Sequence, residues 1–206
     1  MSEPREIADR ALPVIDGLWH WSIANSSIGG AMSSSQAMAV DGGSVLIDPV
    51  RLQPDELDTL PRPVGVLLTA KCHQRSAWRY RAEFGVEVWA PEDAPPTDEE
   101  PDRRYAEGDI LPGGLRALRT PGPEPVHYCL LREEAPRILF CSDLLMGDGA
   151  GGLTFVPGEY HDDPAETRRS VARLQELEFD VLCLDHGRPV TEDPRGAIQA
   201  LLSVTG

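Results

Sequence analysis

Thr69-Ala70-Lys71-Cys72-His73-Gln74-Arg75-Ser76 is the stretch whose reading decides the fold. An apolar run (64–68) leads into it and a helical pattern (77–84) leaves it. A strand that ends in a polar loop and turns into a helix is where open α/β proteins place their chemistry. Two later stretches have the same form. Arg137-Ile138-Leu139-Phe140-Cys141 runs into Ser142-Asp143, and Val181-Leu182-Cys183-Leu184 runs into Asp185-His186-Gly187. Laid side by side, the three strand ends face one cleft.

Upstream, Val14 to Trp21 predicts two strands with a turn at Asp16-Gly17, and the small, polar stretch 22–35 predicts a loop. Residues 36–40 and 44–47 predict a hairpin across Asp41-Gly42-Gly43. Residues 54–60 read as a short helix with proline in its first turn. Residues 86–90 read as a strand, and 91–109, rich in Pro, Asp and Glu, as a long solvated loop. Strands follow at 115–119, 126–131 and 137–141, then a flexible stretch at 147–152. Asp163 is placed to cap a helix with Pro164 in its first position and Glu166 as reciprocal cap. A last strand (181–184) precedes a final helix opened by Asp193-Pro194. No repeat or linker divides the chain, so 1–206 reads as one domain.

This order of elements resembles the metallo-β-lactamase fold family. That family's signature is a strand followed by T-H-x-H-x-D-H and a helix. A T-P-G-H turn comes next, then a strand ending in Gly-Asp or Ser-Asp, then a strand ending in G-H-G. Ser142-Asp143 and His186-Gly187 match the two later strand ends, Thr120-Pro121-Gly122 matches the turn, and Asp48 matches an early loop-bracing aspartate. Thr69 is in place, but Ala70, Cys72, Gln74, Arg75 and Pro123 stand at ligand positions of the signature. The resemblance implies an α/β fold, a four-layer αββα sandwich of two mixed β-sheets flanked by helices. It also implies a metal-dependent hydrolase ancestry.

Composition narrows the function. The 206 residues are 41% hydrophobic and 26% charged, as in a globular protein rather than a disordered one. A net charge of −15 disfavours nucleic acid as a partner. No apolar run approaches membrane-spanning length, and the first residues lack the basic-then-apolar order of a signal peptide. The four cysteines form no C-x-x-C pair, so a cytoplasmic protein with reduced thiols is expected.

The matched positions supply two metal ligands, Asp143 and His186. Cys72, a good zinc ligand type, stands at a third position. A catalytic zinc needs three protein ligands and an open position, and a two-ion centre needs more. The expectation is a vestigial site of Cys72, Asp143 and His186 with no metal at full occupancy, a single weakly held zinc being the alternative. Arg75 cannot ligate a metal. It is expected in the cleft with Gln74, Lys71 and His127, paired with Asp143 in place of a cation. His127 is placed to swing toward the cleft for the missing turn histidine. His73 is expected to point away from its neighbour Cys72, and His161 reads as a surface histidine. Two functions stay open. One is a non-catalytic member that binds a small molecule or a second subunit. The other is a hydrolase of an ester or thioester running on one weak zinc.

Overall fold

The computed structural model describes residues 3–204. Its first sheet runs in chain order: β1 (Leu12–Ile15), β2 (Leu18–Asn25), β3 (Ala31–Val40), β4 (Gly43–Ile47), β5 (Pro63–Leu67), β6 (Glu87–Pro91) and β7 (Arg103–Tyr105). The first four strands are antiparallel, and β4 to β7 are parallel. Helices α1 (Pro54–Leu57) and α2 (Ala77–Phe84) make the crossovers either side of β5. Gly85, at φ +67°, ends α2 in the left-handed conformation that glycine adopts at no steric cost.

The second sheet uses β8 (Ile110–Leu111), β9 (Leu115–Arg119), β10 (Tyr128–Arg132) and β11 (Ile138–Phe140), with β14 (Val181–Cys183) parallel to β11 at its edge. Between β11 and β14 lie the small hairpin β12 (Leu145–Gly147) and β13 (Leu153–Phe155), then α3 (Pro164–Leu174). Helix α4 (Pro194–Val204) closes the described chain.

Alternation along the strands builds three cores. Val45 and Ile47 face the second sheet and pack with Leu18, Leu67, Leu130 and Phe140. Leu46, between them, faces the other way and joins Trp21, Val66, Ala77 and Tyr80 under α2. On the far face of the second sheet, Leu131, Leu139 and Leu182 meet Val171 and Leu174 of α3 and Ile198 of α4. The layers are therefore helix, sheet, sheet, helix, as the resemblance implies.

Several expectations are corrected or refined. Of the stretch 22–35 read as loop, 22–25 and 31–35 are strand; the buried serines of the second bond to the loops at the strand ends, Ser35 Oγ donating to Asp48 O at 2.8 Å and accepting from Val50 N at 2.7 Å. The long loop 91–109 contains β7, pinned by Tyr105, whose hydroxyl donates to Leu68 O at 2.7 Å. Residues 147–152 connect the β12–β13 hairpin. Asp163 does cap α3, accepting from Glu166 N at 2.9 Å, but its own N–H goes to Gly122 O rather than to Glu166. The three strand ends are also not side by side: β11 and β14 are neighbours, whereas β5 reaches the cleft from the facing sheet.

Candidate functional site

The strand ends meet at a cavity of about 630 Å³. Cys72, His73, Asp143, His161 and His186 form its polar wall, and Ile28, Met146, Val156, Pro157 and Tyr160 its apolar one. Arg75 also reaches the lining, and behind it lie the buried carboxylates of Asp48 and Asp185.

His73 is the hub. It sits on a single 3-10 turn (Lys71–Gln74) and is 3% exposed. Its Nδ1 is 3.0 Å from Thr69 Oγ1, 3.1 Å from Ser142 Oγ, 3.3 Å from Asp48 Oδ2 and 3.2 Å from Asp185 Oδ2. Its Nε2 is 3.0 Å from Asp143 Oδ2. Both ring nitrogens face carboxylate oxygen, which favours the doubly protonated ring. Burial opposes that charge, but Asp143, Cys72 and Asp185 outweigh it and hold the pKa well above the usual histidine range.

Arg75 is equally deep. Its Nη2 is 3.1 Å from Asp185 Oδ2, and its Nη1 donates to Ser34 O at 2.7 Å and Asp48 O at 2.9 Å. The residue has φ +36°, and Asp48 (+46°) and Ser142 (+53°) share that left-handed region. Side-chain-bearing residues there cost of order 1–3 kcal/mol each. The bonds of this cluster hold them in place: Thr69 donates from N–H to Asp48 Oδ1 at 2.9 Å and from its hydroxyl to Asp48 Oδ2 at 2.5 Å. Asp185 is raised to about 7 by burial, with Arg75 opposing the rise.

Asp143 stands on the turn Ser142–Leu144 and opens on the cavity, its side chain 18% exposed. Its Oδ1 is 2.9 Å from His186 Nε2, and Cys72 Sγ is 3.7 Å from its Oδ2. His186 Nδ1 donates to Met32 O at 2.5 Å. Burial would raise the Asp143 carboxyl, but the His73 charge and the hydrogen bonds of both histidines hold it well below the usual carboxylate range. Burial dominates at Cys72 and pushes the thiol up to about 12.

Sequence reasoning placed Asp143, His186, Cys72 and Arg75 in the cleft, and all four line the cavity. The other expected cleft residues do not. Gln74 turns away, its Oε1 accepting from Trp78 Nε1 at 2.9 Å and Asp98 N at 2.7 Å. Lys71 is half-buried outside the lining. His127 lies fully buried behind Asp143, its Nε2 accepting from Asp143 N at 3.2 Å and its Nδ1 donating to Thr120 O at 2.9 Å. Arg75 pairs with Asp185, not Asp143, because its guanidinium is held by Asp185 and by the carbonyls of Ser34 and Asp48. His73, Asp185 and His161 were missed. Their signal was present: strand-end aspartates at 48, 143 and 185 gather around one short turn that carries a histidine and an arginine.

Residues 13–203 match the family model of the metallo-β-lactamase superfamily. The chain belongs to that superfamily. Similar solved structures include the metallo-β-lactamase FIM-1 from Pseudomonas aeruginosa in its mono-zinc form, with 15% identity, 98% of each chain covered and a TM-score of 0.73. A metallo-β-lactamase from Pontibacter korlensis shares 16% identity over 95% of this chain and 97% of that one, with a TM-score of 0.72. A metallo-β-lactamase family protein from Thermus thermophilus shares 16% identity over 94% of this chain and 80% of that one, with a TM-score of 0.67. At such identities the likeness is one of fold. No curated protein matches the chain. Among the described residues, no helix is long and apolar enough to cross a membrane.

Proposed function

We propose that this member of the superfamily has given up two-metal hydrolysis and binds a small molecule in the cavity between its sheets. The observation that carries this reading is Arg75. It stands at the last ligand position of the signature, and its guanidinium is buried against Asp185 and two backbone carbonyls. A guanidinium has no lone pair to offer a metal and stays charged. Two zinc ions, which membership implies, therefore do not fit: Gln74 and Arg75 stand where the signature has aspartate and histidine, and a fixed positive charge occupies a position where a second ion would need a neutral ligand. His73, with Asp143 on one nitrogen and Asp48 and Asp185 near the other, brings a second positive charge into the same cluster. The cavity keeps its size and its mixed walls, a pattern typical of small-molecule sites. Four free cysteines, three of them buried, support placing the protein in the cytoplasm.

The test has two arms. Protein supplied with zinc is assayed against a chromogenic β-lactam, an aryl ester and a thioester, and no turnover above background is expected. A metabolite-sized library is then screened by thermal shift. Compounds that raise the melting temperature should lose that effect in Ala31→Trp, which fills a lining position of the cavity. Zinc-dependent turnover abolished by chelator would overturn the reading.

A further inference from the structure

We propose that the cavity takes an organic cation, a primary amine carried on an apolar body, and that Glu124 holds its ammonium group. This rests on the small-molecule reading and names the class of ligand. The positive side chains of the lining are already matched by carboxylate. His73 Nε2 is 3.0 Å and His186 Nε2 2.9 Å from the Asp143 carboxylate, and Arg75 Nη2 is 3.1 Å from Asp185 Oδ2. Glu124 is the exception among the charges of the lining. It is half-buried, and among the described residues no cation lies within ion-pairing distance of its carboxylate. Arg119, just upstream, donates instead to Pro125 O at 2.9 Å. Burial raises the Cys72 pKa most, and Asp143 and Glu124 add to the rise against His73, so the Glu124 carboxylate stands near the polar wall.

This balance of charge discriminates between ligand heads. An anion would have to draw His73, His186 or Arg75 off its carboxylate, and it would meet Glu124 as a like charge. A neutral head would cover Glu124 and strip its water without giving it a counter-charge, which costs free energy. An ammonium head supplies that counter-charge, and a charge-assisted hydrogen bond to a carboxylate is roughly twice as strong as a neutral one. One unmatched carboxylate calls for one ammonium group, so the class is a monoamine rather than a polyamine. The apolar wall takes the body of such a ligand. Tyr160 lines the same cavity and is 70% exposed, which leaves its ring open to a cation. The net charge of −15 draws cations toward the molecule as a whole.

Tryptamine, tryptophol and indole-3-propionate are the probes, since they carry ammonium, hydroxyl and carboxylate on the same indole and linker. Their binding to the full-length protein is measured by titration calorimetry near neutral pH in low salt. Tryptamine should bind about tenfold tighter than tryptophol. Indole-3-propionate should bind more weakly than either, and the tryptamine advantage should shrink in high salt. Glu124→Gln should weaken tryptamine about tenfold and leave tryptophol unchanged. Glu92→Gln, at an exposed position outside the lining, removes the same charge from the molecule and should change neither. Equal or tighter binding of tryptophol or indole-3-propionate would overturn the ammonium site. So would an amine preference that survives in Glu124→Gln, an equal loss in Glu92→Gln, or no binding by any of the three. The small-molecule reading falls only if the library screen also yields no compound whose effect is lost in Ala31→Trp, so the two failures are distinct.

Discussion

Charges of both signs meet at the junction of the two sheets. The second sheet ends in Asp143 and Asp185, and the short turn after β5 of the first brings His73 and Arg75. The two carboxylates differ in depth. Asp185 is 2% exposed and takes the guanidinium, a permanent charge. Asp143 opens on the cavity and takes two imidazoles, whose charge can be withdrawn. Depth separates the carboxylates rather than their partners: Arg75 and His73 are equally buried, and His186, its side chain 16% exposed, is the partner that shares the depth of Asp143.

The sharpest way to break this comparison is to remove the sealed pair. Arg75→Met leaves Asp185 buried beside no guanidinium and should cost about 3–5 kcal/mol in urea unfolding. Adding Asp185→Leu should restore at least half of the loss, since replacing both partners with apolar groups is far milder than removing one. A loss under about 1 kcal/mol would mean that the pair behaves like one in solvent.

The open pair should respond less, and to pH. Asp143→Asn should cost about 2 kcal/mol. The folded pKa of His73 is raised, so its contribution is complete below its unfolded value near 6.5 and is lost as pH rises through the higher folded value. The folded pKa of Asp143 is lowered, so its contribution is complete above about 4 and is lost as pH falls through the lower folded value. Stability from the pair therefore spans a plateau from roughly pH 4 to roughly 6.5 and declines on both sides. Melting temperature against pH, wild type beside Asp143→Asn, measures it; parallel profiles would contradict the pairing.

The smallest effect belongs to a signature position that has left the site. Gln74→Ala removes the acceptor of Trp78 and Asp98 and should cost about 1 kcal/mol. It should leave small-molecule binding in the cavity unchanged, and altered binding in this variant would put Gln74 back in the cleft.

The apolar strands were legible because alternation and turn residues are local signals, as in 44–47 after Asp41-Gly42-Gly43. Ser33–Ser35 misled because the polarity of a strand is acceptable when loop groups at the site satisfy it, and that is a tertiary fact. β7 went unread for a related reason: three residues at a sheet edge owe their strand form to β6 and to the Tyr105 hydroxyl. Of the site, Asp143 and His186 were legible from strand ends. His73 was not, because helical spacing gives a poor guide to a 3-10 turn, where neighbouring side chains diverge by about 120° and both can border one cavity. Arg75 was assigned to the cleft, but its partner depended on depth, which spacing does not carry.

The claim at the centre of this account is that fixed charge has replaced the two-ion centre. Metal content per chain, measured by mass spectrometry on protein purified without chelator and equilibrated with excess zinc before desalting, tests it most directly. The account predicts no more than one zinc per chain in wild type. Two tightly held ions per chain, with Arg75 in place, would contradict it.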